Sequence, residues 1–554
     1  MAGGSAGAEG GQPIPGNPLA QLHAAVVEAA AQLRGGSGDG SRATPTLERP
    51  PKPEFGDYST NAAMLLAPAL GEQPRAIAQR LGAQLGAGLG GRLDRVEVAG
   101  PGFLNLFLTD GWFRKALRHV LEAGEGFGGD VVERPERILV EFVSANPTGP
   151  LTAAGGRHAA YGDSLARVLA FSGHAVEREY YVNDYGSQVR KLGESIRARA
   201  RGEEVPEDGY QGDYVSDLAR EIPGAAEGDP DELAQRGVEL MVERIGATLH
   251  RYRVDFDTWF SERSLHDGRV AEVLAGLERS AHLYHREGAD WLRTTAFGDD
   301  KDRVLRRSSG EHTYFASDIA YHEHKRGRGF DRLVNVLGAD HHGYVPRMKA
   351  AFEALGGDPD ALELLIMQFV NVIEGGTRAA MSKRRGEFIS LDDLVDEIGV
   401  DAARYFLLQR SHDTTVDLDL DLAREQSSEN PVYYVQYAHA RIASILQKAG
   451  ARVSAASADE TPEVSLEPAE RTLVKRLLAF PAEVDEAAVR RAPHRIAAFA
   501  LELAQDFTAF YRDCHVVGAE PASVESFRLA LSVASQRTIA RALDLLGVHA
   551  PESM

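Results

Sequence analysis

Residues 144 to 163, SANPTGPLTAAGGRHAAYGD, form a turn rich in small residues between an apolar run and a helical pattern. Four small residues stand at the start of the helical pattern: Ala153, Ala154, Gly155 and Gly156. Because they occupy little space, backbone N–H groups and the start of the helix can approach an anion closely. A nucleotide phosphate is a natural guest of such a turn. Small residues at a strand-to-helix turn also serve close packing, so this segment alone leaves both interpretations open.

A second segment, AAMSKRRG at residues 379–386, places Lys383, Arg384 and Arg385 in a loop before the helical pattern LDDLVDEIG. If this loop folds over the same pocket, its cations neutralise the charge that develops on a triphosphate when the α-phosphorus is attacked. A charged surface turn has the same composition. On this segment alone, the surface turn is the favoured interpretation.

A third segment, GADHHG at residues 338–343, follows the apolar run LVNVL. Histidines at the carboxyl end of a strand lie where a bound adenine or ribose is within reach. The alternative is a metal site shared with His322 and His324. No carboxylate motif accompanies these histidines, so we expect no metal site.

A parallel sheet is the element that would bring these segments together. The strand RILVEFV, the small-residue turn, a helix closed by Gly173 and the strand HAVEREYYVND begin a doubly wound sheet, which binds ligands beyond the carboxyl ends of its strands. The segments RVLRRSSG, YFASDIAYH and RLVNVLGADHHG are predicted to continue the sheet pattern. We therefore predict a multidomain α/β protein with a Rossmann-like catalytic domain over residues 129–424, carrying an insertion around 195–300.

Two further domains and a tail are predicted beside it. Residues 1–17 are rich in Gly, Ala and Pro and are predicted to be a disordered tail. Residues 18–128 combine helical patterns with the alternating VEVAGPGFLNLFL, which predicts an α+β domain. Residues 425–554 carry amphipathic patterns typical of a bundle of about five helices.

Composition narrows the function classes. The net charge of -21 argues against a protein that coats nucleic acid through its overall charge, although local basic faces remain compatible with it. A single cysteine, Cys514, excludes an intrachain disulfide and a multi-thiolate metal site. No apolar run of about eighteen residues and no secretory signal stands in the sequence. We expect a soluble cytoplasmic protein without membrane association or a structural metal.

Together the three segments are similar to class I aminoacyl-tRNA synthetases, and the chain resembles the arginyl-tRNA synthetase family over nearly its whole length. FGDYSTNAAM and VEVAGPGFLN resemble that family's additional N-terminal domain, which binds tRNA. ENPVYYVQYAHARI and ALDLLG resemble its anticodon-binding helices. Seven further segments resemble the catalytic domain of that family: SANPTGPL, YYVNDYGSQ, FDTWFSE, TYFASDIAYH, NVLGADHHGY, MSKRRG and DAARYFLL.

The resemblance implies an arginine-tRNA ligase with a two-step reaction. The carboxylate of L-arginine attacks the α-phosphorus of ATP, bound with Mg²⁺, and arginyl-adenylate and pyrophosphate form. The 2'-hydroxyl of the terminal adenosine of arginine tRNA then takes the arginyl group. Family members generally need bound tRNA even for the first step. The expected partners are L-arginine, ATP and arginine tRNA, and the expected oligomeric state is a monomer.

The resemblance also implies the site residues. Asn146, Tyr314 and Asp318 are predicted to bind arginine, and Asp318 is our choice for telling arginine from lysine, because a carboxylate accepts paired hydrogen bonds from a guanidinium that an ammonium cannot reproduce. The residues predicted to bind ATP are Pro150, Ala154, Gly156, Asp340, His341, Met381 and Ser382. The predicted catalytic residues are Lys383, Thr152, Gly155 and His158.

The small-residue turn departs from the family pattern. Arginyl enzymes usually carry Leu-His-Val-Gly-His-Gly-Arg, whereas residues 151–157 are LTAAGGR, so both histidines are missing. The residue before the Met-Ser-Lys triplet, commonly Lys, is Ala380. Loss of one charge-stabilising donor typically lowers an enzyme's rate about 100- to 1000-fold.

Three explanations of this departure stay open. In the first, which we prefer, another cation replaces the lost charge: His158, which shares a helix face with Gly155, or one of Arg157, Arg384 and Arg385. In the second, backbone amides and Mg²⁺ suffice, with Thr152 donating one hydrogen bond. In the third, the chain is a paralogue that binds arginine or tRNA without efficient activation.

The C-terminal helices supply the predicted tRNA contacts. RNA outside duplexes is recognised by stacking and base-edge contacts, so aromatic and Arg side chains matter more than total charge. The predicted tRNA-binding residues are Tyr433, Tyr437, Arg441 and Arg495. The alternative for each tyrosine is packing in the core of the bundle.

Overall fold

The computed structural model describes residues 17–35, 44–378, 389–458 and 464–554. Met381, Ser382, Lys383, Arg384 and Arg385 therefore lie outside the described residues, as do Ala380 and residues 1–16 of the predicted tail. Asn17, assigned to that tail, is instead buried and begins the first helix. Its side-chain oxygen accepts a hydrogen bond from the N–H of Leu19 at 2.9 Å, which caps the helix ahead of Pro18.

The N-terminal domain is α+β, as predicted. Its three strands form an antiparallel sheet in the order β1-β3-β2, and the segment VEVAGPGFLNLFL is the β2–β3 hairpin. The segment FGDYSTNAAM holds β1 and the start of α2. The elements are α1 (Pro18–Arg34), β1 (Tyr58–Thr60), α2 (Ala62–Leu70), α3 (Pro74–Leu89), β2 (Leu93–Ala99), β3 (Phe103–Leu108) and α4 (Asp110–Ala123).

The predicted doubly wound sheet is the centre of the chain. Five parallel strands lie in the order β11-β10-β4-β5-β6. The next strands in the chain, β5 and β6, therefore lie on one side of β4, and the later strands β10 and β11 lie on its other side. Ile138, Leu139 and Val140 are fully buried, since β4 is covered on both faces. The strands and the helix that follows β4 are β4 (Arg137–Glu141), α5 (Ala153–Ser172), β5 (Ala175–Val182), β6 (Thr258–Ser261), β10 (Arg332–Gly338) and β11 (Leu362–Met367).

Two insertions, rather than one, interrupt the sheet. The predicted insertion around 195–300 contains β6, which pairs with β5 in the main sheet. Helices precede β6, and a helix with a small antiparallel sheet in the order β7-β8-β9 follows it. The inserted elements are α6 (Ser187–Arg201), α7 (Asp213–Glu221), α8 (Pro230–Arg251), α9 (Arg269–Arg279), β7 (Leu283–Arg286), β8 (Ala289–Leu292) and β9 (Arg303–Arg306).

Two of the predicted sheet segments are corrected by the structure. RVLRRSSG contributes β9 to the small sheet, and YFASDIAYH is the first part of the helix α10 (Tyr314–Gly327). Thr313 caps this helix through the N–H of Ala316. Its buried residues recur at helical spacing, which lays one face on the sheet. RLVNVLGADHHG is β10 and the turn after it, as predicted.

The remaining elements lead to the C-terminal bundle. A small sheet in the order β13-β12-β14 follows β11, and α12 bends at Gly399, where φ is 78°. The elements are α11 (Tyr344–Ala354), β12 (Val370–Glu374), β13 (Thr377–Arg378), α12 (Leu391–Leu408), β14 (Val416–Asp419), α13 (Leu420–Arg424), α14 (Pro431–Ala449), α15 (Pro468–Val489), α16 (His494–Asp513) and α17 (Ala522–Leu545). Within the described part of residues 425–554, the bundle has four long helices rather than about five. No helix in the described ranges is long and apolar enough to cross a membrane.

Candidate active site

A cavity of about 510 Å³ opens at the carboxyl ends of β4 and β10, where the strand order of the sheet reverses. Doubly wound sheets bind their ligands at this kind of switch point, and the volume suits a small-molecule site. The connection after β4, the end of β5, the start of α10 and the end of β10 all contribute lining residues. The predicted site residues that line the cavity are Asn146, His158, Tyr314, Asp318, Asp340 and His341.

Carboxyl groups dominate the buried end of this cavity. Asp318, one turn into α10, lines it together with Glu141, the last residue of β4. Glu262, which follows β6, is buried outside the cavity lining and close enough to Asp318 for their charges to interact. With its side-chain amide turned to donate, Asn183 in the cavity wall hydrogen-bonds Glu262 Oε2 at 2.7 Å.

Burial changes the protonation of two of these groups. Burial raises the pKa of Asp318 to about 7, against a hydrogen bond from the Tyr344 hydroxyl that lowers it, while the nearby Glu141 raises it further. Burial also raises the pKa of Glu262 to about 7, and the charge of Asp318 adds to that rise. Carboxyl groups that share a buried space resist ionising together. A cationic ligand in the cavity therefore stabilises their ionised forms.

Glu141 and Glu262 are functional candidates that sequence reasoning missed. A signal for Glu141 was available, because a Glu inside the apolar run RILVEFV is out of place in a buried strand unless it has partners. Glu262 stands in FDTWFSE, after a strand whose place in the main sheet was not recognised. The strand order identifies both residues as candidates, because it places the ends of β4 and β6 at the same edge of the sheet.

The first turn of α5 uses most of its own N–H groups. The N–H of Ala153 donates to the carbonyl of Ile389 at 3.1 Å. Gly155 N–H donates to Thr152 Oγ1 at 3.3 Å, and Gly156 N–H to the Thr152 carbonyl at 2.9 Å. Thr152 is thus the N-cap of the helix. Three of the four N–H groups of Ala153, Ala154, Gly155 and Gly156 therefore already have partners, and an approach of this turn to a phosphate stays a prediction.

Packing explains one of the two glycines at this turn. A Cβ on Gly156 would lie 2.7 Å from Leu391 Cδ1, so this buried glycine allows α5 to approach α12. Its residue type fits the packing interpretation rather than the predicted ATP contact. A Cβ on Gly155 would meet Leu151 at 3.6 Å, an ordinary contact, so packing does not require glycine there. Pro150 and Ala154 are half-buried at the same turn.

Arg157 does not supply charge to the cavity, contrary to one of the predicted explanations. Its side chain is 1% exposed and binds backbone carbonyls beneath the helix. Its Nη1 donates to the carbonyls of Gln368 and Phe369 at 2.7 and 3.3 Å. Its Nη2 donates to those of Ser411 and Thr414, both at 2.8 Å. Arg157 therefore fastens α5 to the chain around β12 and β14.

His158 lines the cavity from the same helix, one turn after Gly155. Burial and the neighbouring Arg157 lower the pKa of His158 to about 4, opposed by Asp340. Its imidazole is therefore neutral at physiological pH and acts as a hydrogen-bonding group rather than a cation. An anionic ligand beside the ring would raise the pKa of His158. Its role in replacing the missing histidines stays a prediction.

The other histidines give no support to a metal site. Asp340 and His341 lie on a short turn after β10, exposed at the cavity rim, with Asp340 Oδ1 and His341 Nδ1 3.0 Å apart. His322 is buried and hydrogen-bonds the Asp318 carbonyl at 2.8 Å, while His324 contacts Arg269. Among the residues that the structure describes, no three His, Cys, Asp or Glu side chains are grouped to hold a metal ion.

Three predicted tRNA-binding residues form one cluster on the bundle, and the fourth lies elsewhere. The rings of Tyr433 and Tyr437 are stacked with centroids 6.1 Å apart. The guanidinium of Arg441 lies over the rings of Tyr437 and Tyr511, at 4.8 and 5.4 Å. Arg495 pairs with Glu483 at 2.8 Å near the start of α16. Because Tyr511 is near the end of that helix, roughly 24 Å of helix separates Arg495 from the cluster.

Comparison with known proteins first gives the class. Residues 118–444 match the family model described as tRNA synthetases class I (R), catalytic domain. Residues 20–108 match the arginyl tRNA synthetase N terminal domain, and residues 435–554 match the DALR anticodon binding domain. The class of the protein is therefore that of the class I aminoacyl-tRNA synthetases.

Relatives narrow the class to one family. The chain is 44% identical over 526 residues to an arginine-tRNA ligase of Shouchella clausii, covering 92% of this chain and 94% of that protein. It is 46% identical over 529 residues to that of Frankia alni, covering 92% and 95%. The solved arginyl-tRNA synthetase of Thermus thermophilus superposes with a TM-score of 0.77 at 25% identity, covering 96% of this chain and 99% of that one. The chain belongs to the arginyl-tRNA synthetase family, which confirms the resemblance and the predicted fold class.

Proposed function

We propose that this chain catalyses the ATP-dependent attachment of L-arginine to the 2'-hydroxyl of the terminal adenosine of arginine tRNA. The observation that carries the proposal is the pair of carboxyls that line the cavity at the switch point of the sheet, Glu141 and Asp318, with the buried Glu262 close to Asp318. Arginine has two cationic groups, a guanidinium and an α-ammonium. A cavity whose buried end is acidic complements both.

The arginine-binding roles follow from the cavity wall. Asp318 is proposed to accept paired hydrogen bonds from the guanidinium, since a planar fork and a carboxylate match in geometry. Tyr314, with 58% of its surface exposed at the cavity, is proposed to close over the substrate. Asn146, exposed after the turn that follows β4, is proposed to hold the amino-acid backbone. The substrate carboxylate then faces the ATP side.

ATP is proposed to bind with Mg²⁺ along the outer part of the cavity. Asp340 and His341 at the rim suit contacts to the adenosine. Thr152 and Gly155 at the start of α5, with His158 one turn later, are proposed to stabilise the phosphates with Lys383. The carboxylate oxygen of arginine attacks the α-phosphorus, the bond to the bridging oxygen breaks, and pyrophosphate leaves with Mg²⁺ sharing its charge. The 2'-hydroxyl then displaces AMP.

The C-terminal cluster supports the RNA side of the proposal. Stacked aromatic rings with a guanidinium beside them suit unpaired bases. Tyr437 and Tyr511 are among the exposed large side chains of the protein, so their rings are accessible. Tyr433, Tyr437 and Arg441 are proposed as anticodon contacts, with Arg495 as a separate contact. We propose that the enzyme acts as a monomer in the cytoplasm, where charged tRNA is used.

The missing histidines favour one rival function. With Thr152 and Gly155 in place of both, the chain could bind arginine or tRNA without activating arginine. The test is the charging of arginine tRNA by the purified protein with radiolabelled arginine, ATP and Mg²⁺. Charging that is lost in Asp318→Asn and lost with tRNA ending in 2'-deoxyadenosine is the expected result. Binding of arginine and tRNA without charging would replace the ligase with the rival.

A further inference from the structure

Lys325 is a fully buried lysine directly behind the acidic end of the cavity. It lies on α10, 0% exposed, with Nζ 2.5 Å from Glu141 Oε2 and 3.2 Å from Asn335 Oδ1. Its ammonium also lies 4.1 Å from the centre of the Tyr321 ring. A buried ammonium needs such partners, because an isolated charge in this environment is very costly.

The contacts fix Glu141 as well as Lys325. Glu141 and Asn335 are register partners on the parallel strands β4 and β10. The side-chain amide of Asn335 donates to Glu141 Oε2, and Ser144 Oγ donates to Glu141 Oε1 at 3.0 Å. Asn335 also donates to His322 Nε2 at 3.3 Å. The carboxylate at the cavity wall is therefore held in one orientation by groups that lie behind and beside it.

The charges at the acidic end of the cavity give Lys325 a further consequence. Glu141 and Asp318 line the cavity, and Lys325 is the buried cation that pairs with Glu141. The neighbouring Glu179 pairs instead with Arg328 and accepts a hydrogen bond from the Tyr321 hydroxyl at 2.6 Å. Lys325 therefore sets the position of one of the two carboxylates that face a cationic ligand.

We propose that Lys325 is a positioning residue for arginine binding, which acts by holding the carboxylate of Glu141 in a fixed orientation at the cavity wall. This inference rests on the proposed function, because it takes arginine as the ligand. Lys325 is not among the residues that line the cavity, and it acts through Glu141. If its role were only to stabilise the fold, its removal would lower stability without changing the affinity for arginine.

A second buried lysine provides the matched control. Lys475 is 9% exposed and pairs with Asp57 at 3.0 Å, which joins the C-terminal bundle to the N-terminal domain. Lys475→Met removes a buried lysine from a carboxylate as Lys325→Met does, but away from the cavity. Comparison of the two variants separates the loss of a buried ion pair from the loss of an arginine contact.

The experiment measures the dissociation constant of radiolabelled L-arginine by equilibrium dialysis against the full-length chain without tRNA. Lys325→Met is expected to weaken binding by at least about tenfold, because Glu141 loses the ammonium that pairs with its carboxylate and fixes its orientation at the cavity wall. Lys325→Arg is expected to recover most of that loss, and Lys475→Met to bind like the wild type. Wild-type affinity in a folded Lys325→Met variant would overturn the inference. Absence of arginine binding by the wild type would instead overturn the proposed function.

A double-mutant cycle decides whether the effect passes through Glu141. The double variant Glu141→Gln/Lys325→Met leaves neither charge of the ion pair unpaired. Its comparison with Glu141→Gln therefore tests the inference even if Lys325→Met alone does not fold. The double variant is expected to bind arginine as weakly as Glu141→Gln alone. A further loss of about tenfold in the double variant would mean that Lys325 acts independently of Glu141 and would contradict the proposal.

Discussion

Ser164 Oγ donates a hydrogen bond to the carbonyl of Leu545 at 2.8 Å, in a fully buried contact between α5 and the last helix of the bundle. Arg404 of α12 joins the same two helices at the neighbouring residues: its Nη2 pairs with Asp163 at 2.5 Å, and its Nε donates to the Leu546 carbonyl at 2.8 Å. The helix that begins at the small-residue turn is therefore fastened to the C-terminal domain along its length. Movement of that domain would be transmitted to the cavity through α5.

Removal of the Arg404 side chain should destabilise the chain strongly. Arg404→Met leaves Asp163 without this buried cation, and the loss of one partner of such a pair costs about 3–5 kcal/mol. Denaturant unfolding at neutral pH measures the loss. Arg512→Met, which removes an exposed arginine paired with Asp513, is the control and should leave the unfolding midpoint unchanged. Equal midpoints for the two variants would contradict the assignment of Arg404 as the tie between the domains.

The two glycines at the turn should respond differently to alanine. In Gly156→Ala the new Cβ would lie 2.7 Å from Leu391 Cδ1, so we expect a loss of about 1–3 kcal/mol in stability. In Gly155→Ala the nearest atom is 3.6 Å away, and no loss of stability is expected from packing. Thermal unfolding of both variants checks the difference. A Gly156→Ala variant as stable as the wild type would contradict the packing role of Gly156 and favour a role in phosphate binding.

Arginine should stabilise the protein more at higher pH. Because the pKa values of Asp318 and Glu262 are raised to about 7, the folded state holds protons that the unfolded state has released. The stability of the free protein therefore falls as pH rises from about 4 to about 7, and arginine, which binds the ionised carboxylates, recovers it.

The measurement is the shift in melting temperature on adding arginine, which should be larger at about pH 8 than at about pH 6. L-citrulline, whose neutral ureido group replaces the guanidinium, is the control ligand and should give a smaller shift. Asp318→Asn should reduce the arginine shift at both pH values. An arginine shift that grows towards acid pH would contradict the assignment of these carboxyls to the ligand.

His158 should contribute to the activation step. We expect His158→Ala to lower arginine-dependent ATP–pyrophosphate exchange, in the presence of arginine tRNA, by about 100-fold, the usual cost of one stabilising donor. Binding of tRNA should be unchanged, because the helical cluster around Tyr437 is separate from the cavity. His158→Gln, which keeps a side-chain donor, should retain more exchange than His158→Ala. An unchanged exchange rate in His158→Ala would contradict this role and favour stabilisation of the phosphates by Thr152 and backbone N–H groups.

Local patterns were sufficient for much of the fold. The strand in RILVEFV, the helix closed by Gly173 and the strand pattern of VEVAGPGFLNLFL were predicted correctly, from an apolar run, a helical period with a closing glycine, and an alternation around a Gly-Pro-Gly break. The segment YFASDIAYH was misjudged because its aromatic residues suit a strand, whereas the Thr313 cap and helical spacing made it α10. The strand β6 was missed because it lies between two insertions.

Site residues that belong to a family motif could be predicted from the sequence. Residues whose hydrogen-bond partners are distant in sequence could not, because only the tertiary structure brings those partners together. Asn146, Tyr314 and Asp318 do meet in one cavity, as expected. Arg157 was one of the candidates for the replacement cation, yet its carbonyl partners lie 211 to 257 residues away in sequence and cannot be recognised from the local pattern. The same holds for Lys325, whose partner Glu141 lies 184 residues away.

The most direct test of this account is the identity of the amino acid that the purified chain attaches to tRNA. The measurement incubates the protein with ATP, Mg²⁺, arginine tRNA and, in separate reactions, radiolabelled arginine, lysine or citrulline, and counts the amino acid esterified to the tRNA. The account predicts esterification of arginine alone, lost in Asp318→Asn. Absence of arginyl-tRNA with the folded wild type, or equal charging with lysine, would contradict it.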